Sequence, residues 1–242
     1  MASAAALALS TGIVASGAAS TALGPFPGVT FADETKRLVI TSRAYRITLG
    51  KRNGQILDLV DRSAGARLVQ GTKGCLWRVE ARARPSLNDA CSFKPRGARR
   101  FSYEWNPASA ILTLNYRDPV LGYATVTLRA RAAFFDLQMT VTNRGSVLTH
   151  VSLPGELLGD VGSVEAGYAP NVLPGVRLNP GFFTKVGNNV HIYPSRWAFA
   201  DYLALEAGGG SLSLYSINSG PIHPVALGFL RHPSGGRCSG PS

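Results

Sequence analysis

The stretch Ile40–Val69, ITSRAYRITLGKRNGQILDLVDRSAGARLV, decides how the rest of the chain is read. Tyr45, Ile47 and Leu49 alternate with Arg46, Thr48 and Gly50, which is the period-two pattern of a strand with one face on a core and one on water. Asn53-Gly54 follows, a dipeptide that accepts the left-handed backbone of a hairpin turn, and a second apolar run ends at Ala64-Gly65. Strand, turn and strand again: the local chemistry is that of an antiparallel hairpin.

Working outward, the same alternation returns at Leu112, Leu114 and Tyr116, at Val126, Leu128 and Ala130, and at Leu137, Met139 and Val141. Asn106-Pro107 and Asn143-Arg144-Gly145 punctuate these runs. Beyond the N-terminal leader, no window of helical length keeps an i, i+3, i+4 apolar pattern without a Gly or Pro break, so very little helix is expected. Val151–Pro194 is scattered with Pro154, Pro170, Pro174 and Pro180 and reads as long loops with short strands, where binding surfaces usually lie. Strands resume at Tyr202–Glu206 and Ser211–Ile217 around the Gly208-Gly209-Gly210 turn. Val225–Leu230 reads as a further strand with no evident partner, followed by the patternless HPSGGRCSGPS. The expected fold is therefore all-β: a large antiparallel β-sandwich over residues 33–231, incomplete at its C-terminal edge, with an unstructured tail at 232–242.

A chain of 242 residues, 45% of them hydrophobic, suffices for one such domain. The formal charge is +11, from 25 Lys+Arg against 14 Asp+Glu. Arginines sit singly, at Arg37, Arg43, Arg46, Arg52, Arg62, Arg67 and Arg78, and only Arg96, Arg99 and Arg100 group tightly. That spread predicts a solvated basic surface. No zinc-finger spacing, RNP-like strand or basic helix points to nucleic acid, so none is expected as a partner.

Residues 1–32 read as a signal-like leader and linker. Ala2–Leu23 is uncharged and rich in Ala, Leu, Ser, Thr and Gly, with small residues at Ala18–Ala22 that suit cleavage, for example after Ala22. Nothing basic precedes Lys36, and the weakly apolar core resembles the twin-arginine type, which places the true start upstream. Export to a secreted or extracytoplasmic location is expected; as a stable membrane span the segment is too polar. In an oxidising compartment Cys75 and Cys91 are close enough in sequence to form a short disulfide loop, the alternative being unpaired buried thiols. No cysteine pair has metal or redox spacing, and neither a metal nor a cofactor is expected.

Four segments, taken in order, resemble the N-terminal β-supersandwich (galactose-mutarotase-like) domain of secreted glycoside hydrolases. They are the opening hairpin to Ala64, Gly65, Arg67 and Leu68; Gly74, Leu76, Trp77 and Val79; FFDLQMTVTNRGSVLTHVSLPGEL at 134–157; and the pair YAPNVLPGVRL and YPSRWAFADYLALEAGGGSLSLYSIN, at 168–178 and 193–218. The resemblance spans residues 38–219 and implies a carbohydrate-associated module that packs against a catalytic barrel. Its departures bear on activity. The family's strand-ending Asp is Asn218 here, and Thr149, His150, Val151, Ser152 and Leu153 do not reproduce the His-aromatic segment of sugar mutarotases and epimerases.

No complete catalytic site is legible, so the chain as it stands reads as non-enzymatic, the N-terminal part of a glycoside hydrolase that has lost its barrel. The best-matched proton-transfer pair is His150 with Glu156. Tyr193, Arg196 and Trp197 are the carbohydrate-contact candidates, because aromatic faces beside a guanidinium suit stacking and hydrogen bonding against a sugar ring. Two alternatives stand beside this expectation: a free-standing aldose epimerase or mutarotase-like enzyme, and a simple extracellular carbohydrate-binding module. Two carboxylates of a glycosidase site must converge at a set separation, which sequence alone does not fix.

Overall fold

In the computed structural model the described residues are 9–14, 28–70, 75–81, 84–89, 93–119, 122–144, 148–155, 159–160, 164–168, 177–178, 188–193, 202–216, 225–232 and 237–239. Among them there is no helix. The strands are β1 (Leu9–Val14), β2 (Thr30–Asp33), β3 (Arg37–Thr41), β4 (Tyr45–Gly50), β5 (Ile56–Asp61), β6 (Ala66–Gln70), β7 (Arg78–Ala81), β8 (Arg84–Asp89), β9 (Arg100–Asn106), β10 (Ile111–Asp118) and β11 (Gly122–Ala130). They continue with β12 (Phe134–Asn143), β13 (Leu148–Ser152), β14 (Gly159–Asp160), β15 (Val164–Tyr168), β16 (Arg177–Leu178), β17 (Asn188–Tyr193), β18 (Tyr202–Ala207), β19 (Gly210–Ser216), β20 (Val225–His232) and β21 (Arg237–Ser239).

The largest sheet has nine strands in the order β16-β15-β18-β19-β1-β12-β11-β10-β9, and a second has five in the order β2-β3-β4-β5-β6. Two smaller sheets, β13-β7-β8 and β14-β21-β20-β17, complete the fold. All the described pairings are antiparallel, and sequence neighbours mostly pair, as expected where tight turns make the connections. The two larger sheets share one apolar core. Leu38, Ile40, Ile47, Leu49, Ile56 and Leu59 enter it from the five-stranded sheet, and Leu112, Leu114, Val126, Leu128, Leu137 and Met139 from the other. Trp77, fully buried, comes from the residue before β7. The rings of Tyr45 and Phe135 meet across the core with centroids 5.1 Å apart, and Phe31 stacks on Trp105 at 4.8 Å.

The alternating residues read from sequence are the ones that point inward. Turn chemistry also holds, with local differences. The Asn53-Gly54 connection is a five-residue loop, 51–55, closed by Gly54 N–H donating to the Gly50 carbonyl and Gly50 N–H to that of Gln55. Gly208 and Gly209 both take positive φ in a two-residue turn between β18 and β19, the geometry that matches strand twist. Asn106 Oδ1 accepts hydrogen bonds from Ala108 and Ser109 N–H at the head of the β9–β10 turn.

Three expectations need correcting. Leu9–Val14, assigned from sequence to a leader, forms the strand between β12 and β19, in antiparallel register with both. Val225–Leu230 does have partners: β20 pairs with β17 on one side and β21 on the other. The tail expected to be unstructured contains β21, which pairs with β20 and β14. For the first and third the physical reason is the same. A backbone ladder needs no side-chain alternation, so short segments without an apolar–polar period, LSTGIV and RCS, pair without announcing it. For Val225–Leu230, itself read as a strand, the reason is that the sequence pattern does not reveal which segments will pair with it.

Candidate functional site

The sequence-predicted site residues fall mainly outside the described part of the molecule: Glu156, Arg196, Trp197 and Cys91 all lie there. Tyr193 ends β17, in register with Val225. His150 lies in β13, and its register partner on β7 is Glu80, so the carboxylate residue that the sheet sets opposite this histidine is Glu80. Cys75 is buried and disulfide-bonded, so it is not a free thiol. Among the described residues, no group of three or more His, Cys, Asp or Glu is placed to hold a metal ion.

The described residues bring a different surface together. Along β9–β12, alternate side chains fill the core, and the intervening ones form the outward face of the nine-stranded sheet. Register arranges that face in rows. Arg100, Arg117, Tyr123 and Thr142 make the first, then Ser102, Asn115, Thr125 and Thr140. Glu104, Thr113, Thr127 and Gln138 form the third, and Asn106, Ile111, Arg129 and Asp136 the last. The two middle rows are hydroxyls and amides except for Glu104. Thr residues suit this position because a β-branched side chain fits the pleated surface while its hydroxyl faces water. Thr125 Oγ1 donates to Asn115 Oδ1 at 3.0 Å, which fixes the amide and leaves its N–H groups to point elsewhere.

The first row carries the strongest chemistry. Tyr123 is 41% exposed, the one large hydrophobic side chain so exposed among the described residues. The guanidinium carbons of Arg117 and Arg144 lie 5.7 and 5.5 Å from its ring centroid, within cation–π range. Arg117 reaches the ring as its cross-strand neighbour, and Arg144 from just beyond the end of β12. Gly122 permits the approach: its φ is +106°, and a Cβ there would run into the Thr142 carbonyl and come within 3.3 Å of Arg144 Cγ. Arg100 is held at the edge strand by Nη1–H donating to the carbonyls of Gly97 and Arg99. Neighbouring Arg99 is already neutralised, its Nε 2.7 Å from the buried Asp118 carboxylate. Among the described residues no such carboxylate stands within ion-pair distance of Arg100, Arg117 or Arg144.

The outward face of β9–β12 thus sets one exposed aromatic ring between two guanidinium groups and continues it with rows of hydroxyl and amide groups. No family model and no curated protein matches the chain.

Sequence reasoning placed recognition in the Pro/Gly-rich rim and read the arginines as a scattered solvated charge. The missed signal was the β10–β11 hairpin. Once Asp118 and Gly122 close it, alternation puts Arg117 opposite Tyr123 on the solvent side. Arg144 had no such signal, because its place depends on how the end of β12 passes Gly122.

Proposed function

We propose that this chain is an exported, non-catalytic, carbohydrate-associated β-sandwich module, of the β-supersandwich type found at the N-terminus of glycoside hydrolases. The observation that carries the reading is the outward face of β9–β12, whose two middle rows offer in-register hydroxyl and amide groups beside the exposed Tyr123 ring. Sugars are recognised by this combination: a ring face for their C–H surface and fixed donors and acceptors for their hydroxyls. The ordered sequence resemblance supports a partnership with a catalytic barrel. In that setting the module shapes or extends a substrate cleft rather than performing the chemistry.

The test is a panel of glycans offered to the purified full chain, with wild type compared to Asn115→Ala/Thr127→Ala. Binding without turnover, weakened several-fold in the double variant, is the expected result. Hydrolysis of glycosides by the wild-type chain, or a complete lack of glycan binding, would overturn it.

One observation favours a second reading, a sugar epimerase or mutarotase-like enzyme: the β13–β7 register that sets His150 opposite Glu80. General acid–base exchange at an anomeric centre needs such a pair. That reading requires accelerated anomer interconversion that is lost in both His150→Ala and Glu80→Gln.

A further inference from the structure

We infer that the glycan recognised by the β9–β12 face carries a localised anionic group, a carboxylate or sulfate on one sugar among neutral ones, and that Arg117, Arg144 and Arg100 bind it beside Tyr123. The inference rests on the carbohydrate reading above and adds the charge of the ligand to it.

The first observation is the charge left unanswered. Arg117 and Arg144 both lie against one tyrosine ring, and Arg100 stands in register beside Arg117, so like charges are gathered on one patch. Holding guanidinium groups together costs Coulomb energy that an oxyanion placed among them recovers. Arginine also presents a planar fork of donors that fits a carboxylate or sulfate through paired hydrogen bonds. The ring beneath them holds the two guanidinium groups in place, and its exposed part lies beside the anion they would bind.

A second observation fixes how far the charge extends. Moving along the strands away from Tyr123, the second row is neutral and the third carries Glu104, while in the fourth Asp136 stands beside Arg129 and is paired with Arg131 at 3.6 Å. Rows of the same face lie about 7 Å apart, two residues along a strand. A nucleic acid or other uniform polyanion, with a charge at every repeat, would find no cation in the second row and would meet Glu104 in the third. A glycan whose acidic group is confined to one sugar meets cations at one end and hydroxyl and amide partners along the rest.

The experiment uses the full chain and matched glycan pairs that differ by one anionic group, among them a xylo-oligosaccharide with and without a glucuronate branch and lactose with and without one sulfate. Duplex DNA serves as the uniform polyanion. The expected result is that at least one acidic member binds about tenfold or more tightly than its neutral partner, the scale of a charge-assisted hydrogen-bonded contact. That advantage should shrink with added salt and vanish in Arg117→Gln/Arg144→Gln, while Arg117→Lys/Arg144→Lys recovers only part of it. These residues are on the surface, and unchanged melting of the variants shows that the fold is intact. Equal binding of acidic and neutral partners, with no effect of the arginine variants, overturns the inference and leaves the carbohydrate reading standing. DNA binding as tight as the best acidic glycan overturns it in favour of a general polyanion surface. Binding of no glycan of either kind overturns both.

Discussion

The hydroxyl of Tyr116, buried on β10 beside the edge strand of the nine-stranded sheet, donates a hydrogen bond across the sandwich to the backbone carbonyl of Asn53, 3.0 Å away in the β4–β5 loop. The contact pins a surface turn of one sheet to the core of the other. Gly54 makes it possible, since its φ is +69° and a Cβ there would fall on the Tyr116 hydroxyl and lie 2.9 Å from Leu114 Cδ1. Tyr116→Phe should therefore cost about 1 kcal/mol, the net value of one such hydrogen bond. Gly54→Ala should cost more, because strained backbone and overlap act together. In the double variant the losses should fall short of additive, since removing the hydroxyl vacates the space the methyl needs. Chemical denaturation of the four proteins measures this.

Burial pushes the phenol groups of Tyr116 and Tyr45 far above the ordinary tyrosine value. A group whose pKa is raised by folding adds stability below its unfolded pKa and loses it as pH climbs toward the folded one. Stability should thus begin to fall above pH about 10, where phenols in the unfolded chain ionise. Of the eight tyrosines, Tyr45 and Tyr116 should ionise only as the fold is lost. Phenolate absorbance followed alongside circular dichroism tests this, and smooth ionisation of all eight in a folded protein would contradict it.

Asp61 ties the β5–β6 turn to the opposite sheet. Its carboxylate is buried and accepts N–H bonds from Ser63 at 2.9 Å, Ala64 at 3.3 Å and Ser211 at 3.4 Å. Asp61→Ala strands these donors and should cost about 2–3 kcal/mol, lowering Tm by several degrees. Asp61→Asn keeps one acceptor and should cost less. Equal melting of wild type and Asp61→Ala would show that water replaces the carboxylate without loss.

Non-reducing peptide mapping should link the peptide containing Cys75 to the one containing Cys91, the pairing expected from their short separation. Cys75→Ser should then lower stability by about 3 kcal/mol through the freed loop. A link to Cys238 instead would join the start of β7 to β21, and the pairing proposed from sequence would be discarded.

The fold class was legible because its strands carry their burial in their spelling. Tyr45, Ile47 and Leu49, or Leu112, Leu114 and Tyr116, alternate so cleanly that the core could be named residue by residue. Leu9–Val14 and Arg237–Ser239 were not legible, since neither LSTGIV nor RCS alternates apolar with polar side chains and both pair through the backbone. The candidate surface lay between these cases. Thr113, Asn115, Thr125 and Thr127 were visible as the solvent half of the alternation, but which of them are neighbours is a matter of register, and register emerges only when the hairpins close. The cluster at Tyr123 was hidden for the same reason.

The position of Leu9–Val14 has a consequence for the proposed export. Among the described residues these six are the only bridge in the sheet order between its β19 side and its β12 side. A peptidase cutting after Ala22 would remove them and split the largest layer into two, each with a bare ladder of N–H and C=O groups at the middle of the molecule. Such a seam pairs readily with any extended segment it meets, including another molecule's. If that stretch is also an export signal, address and central strand share the same residues, and processing that consumes the one dismantles the other.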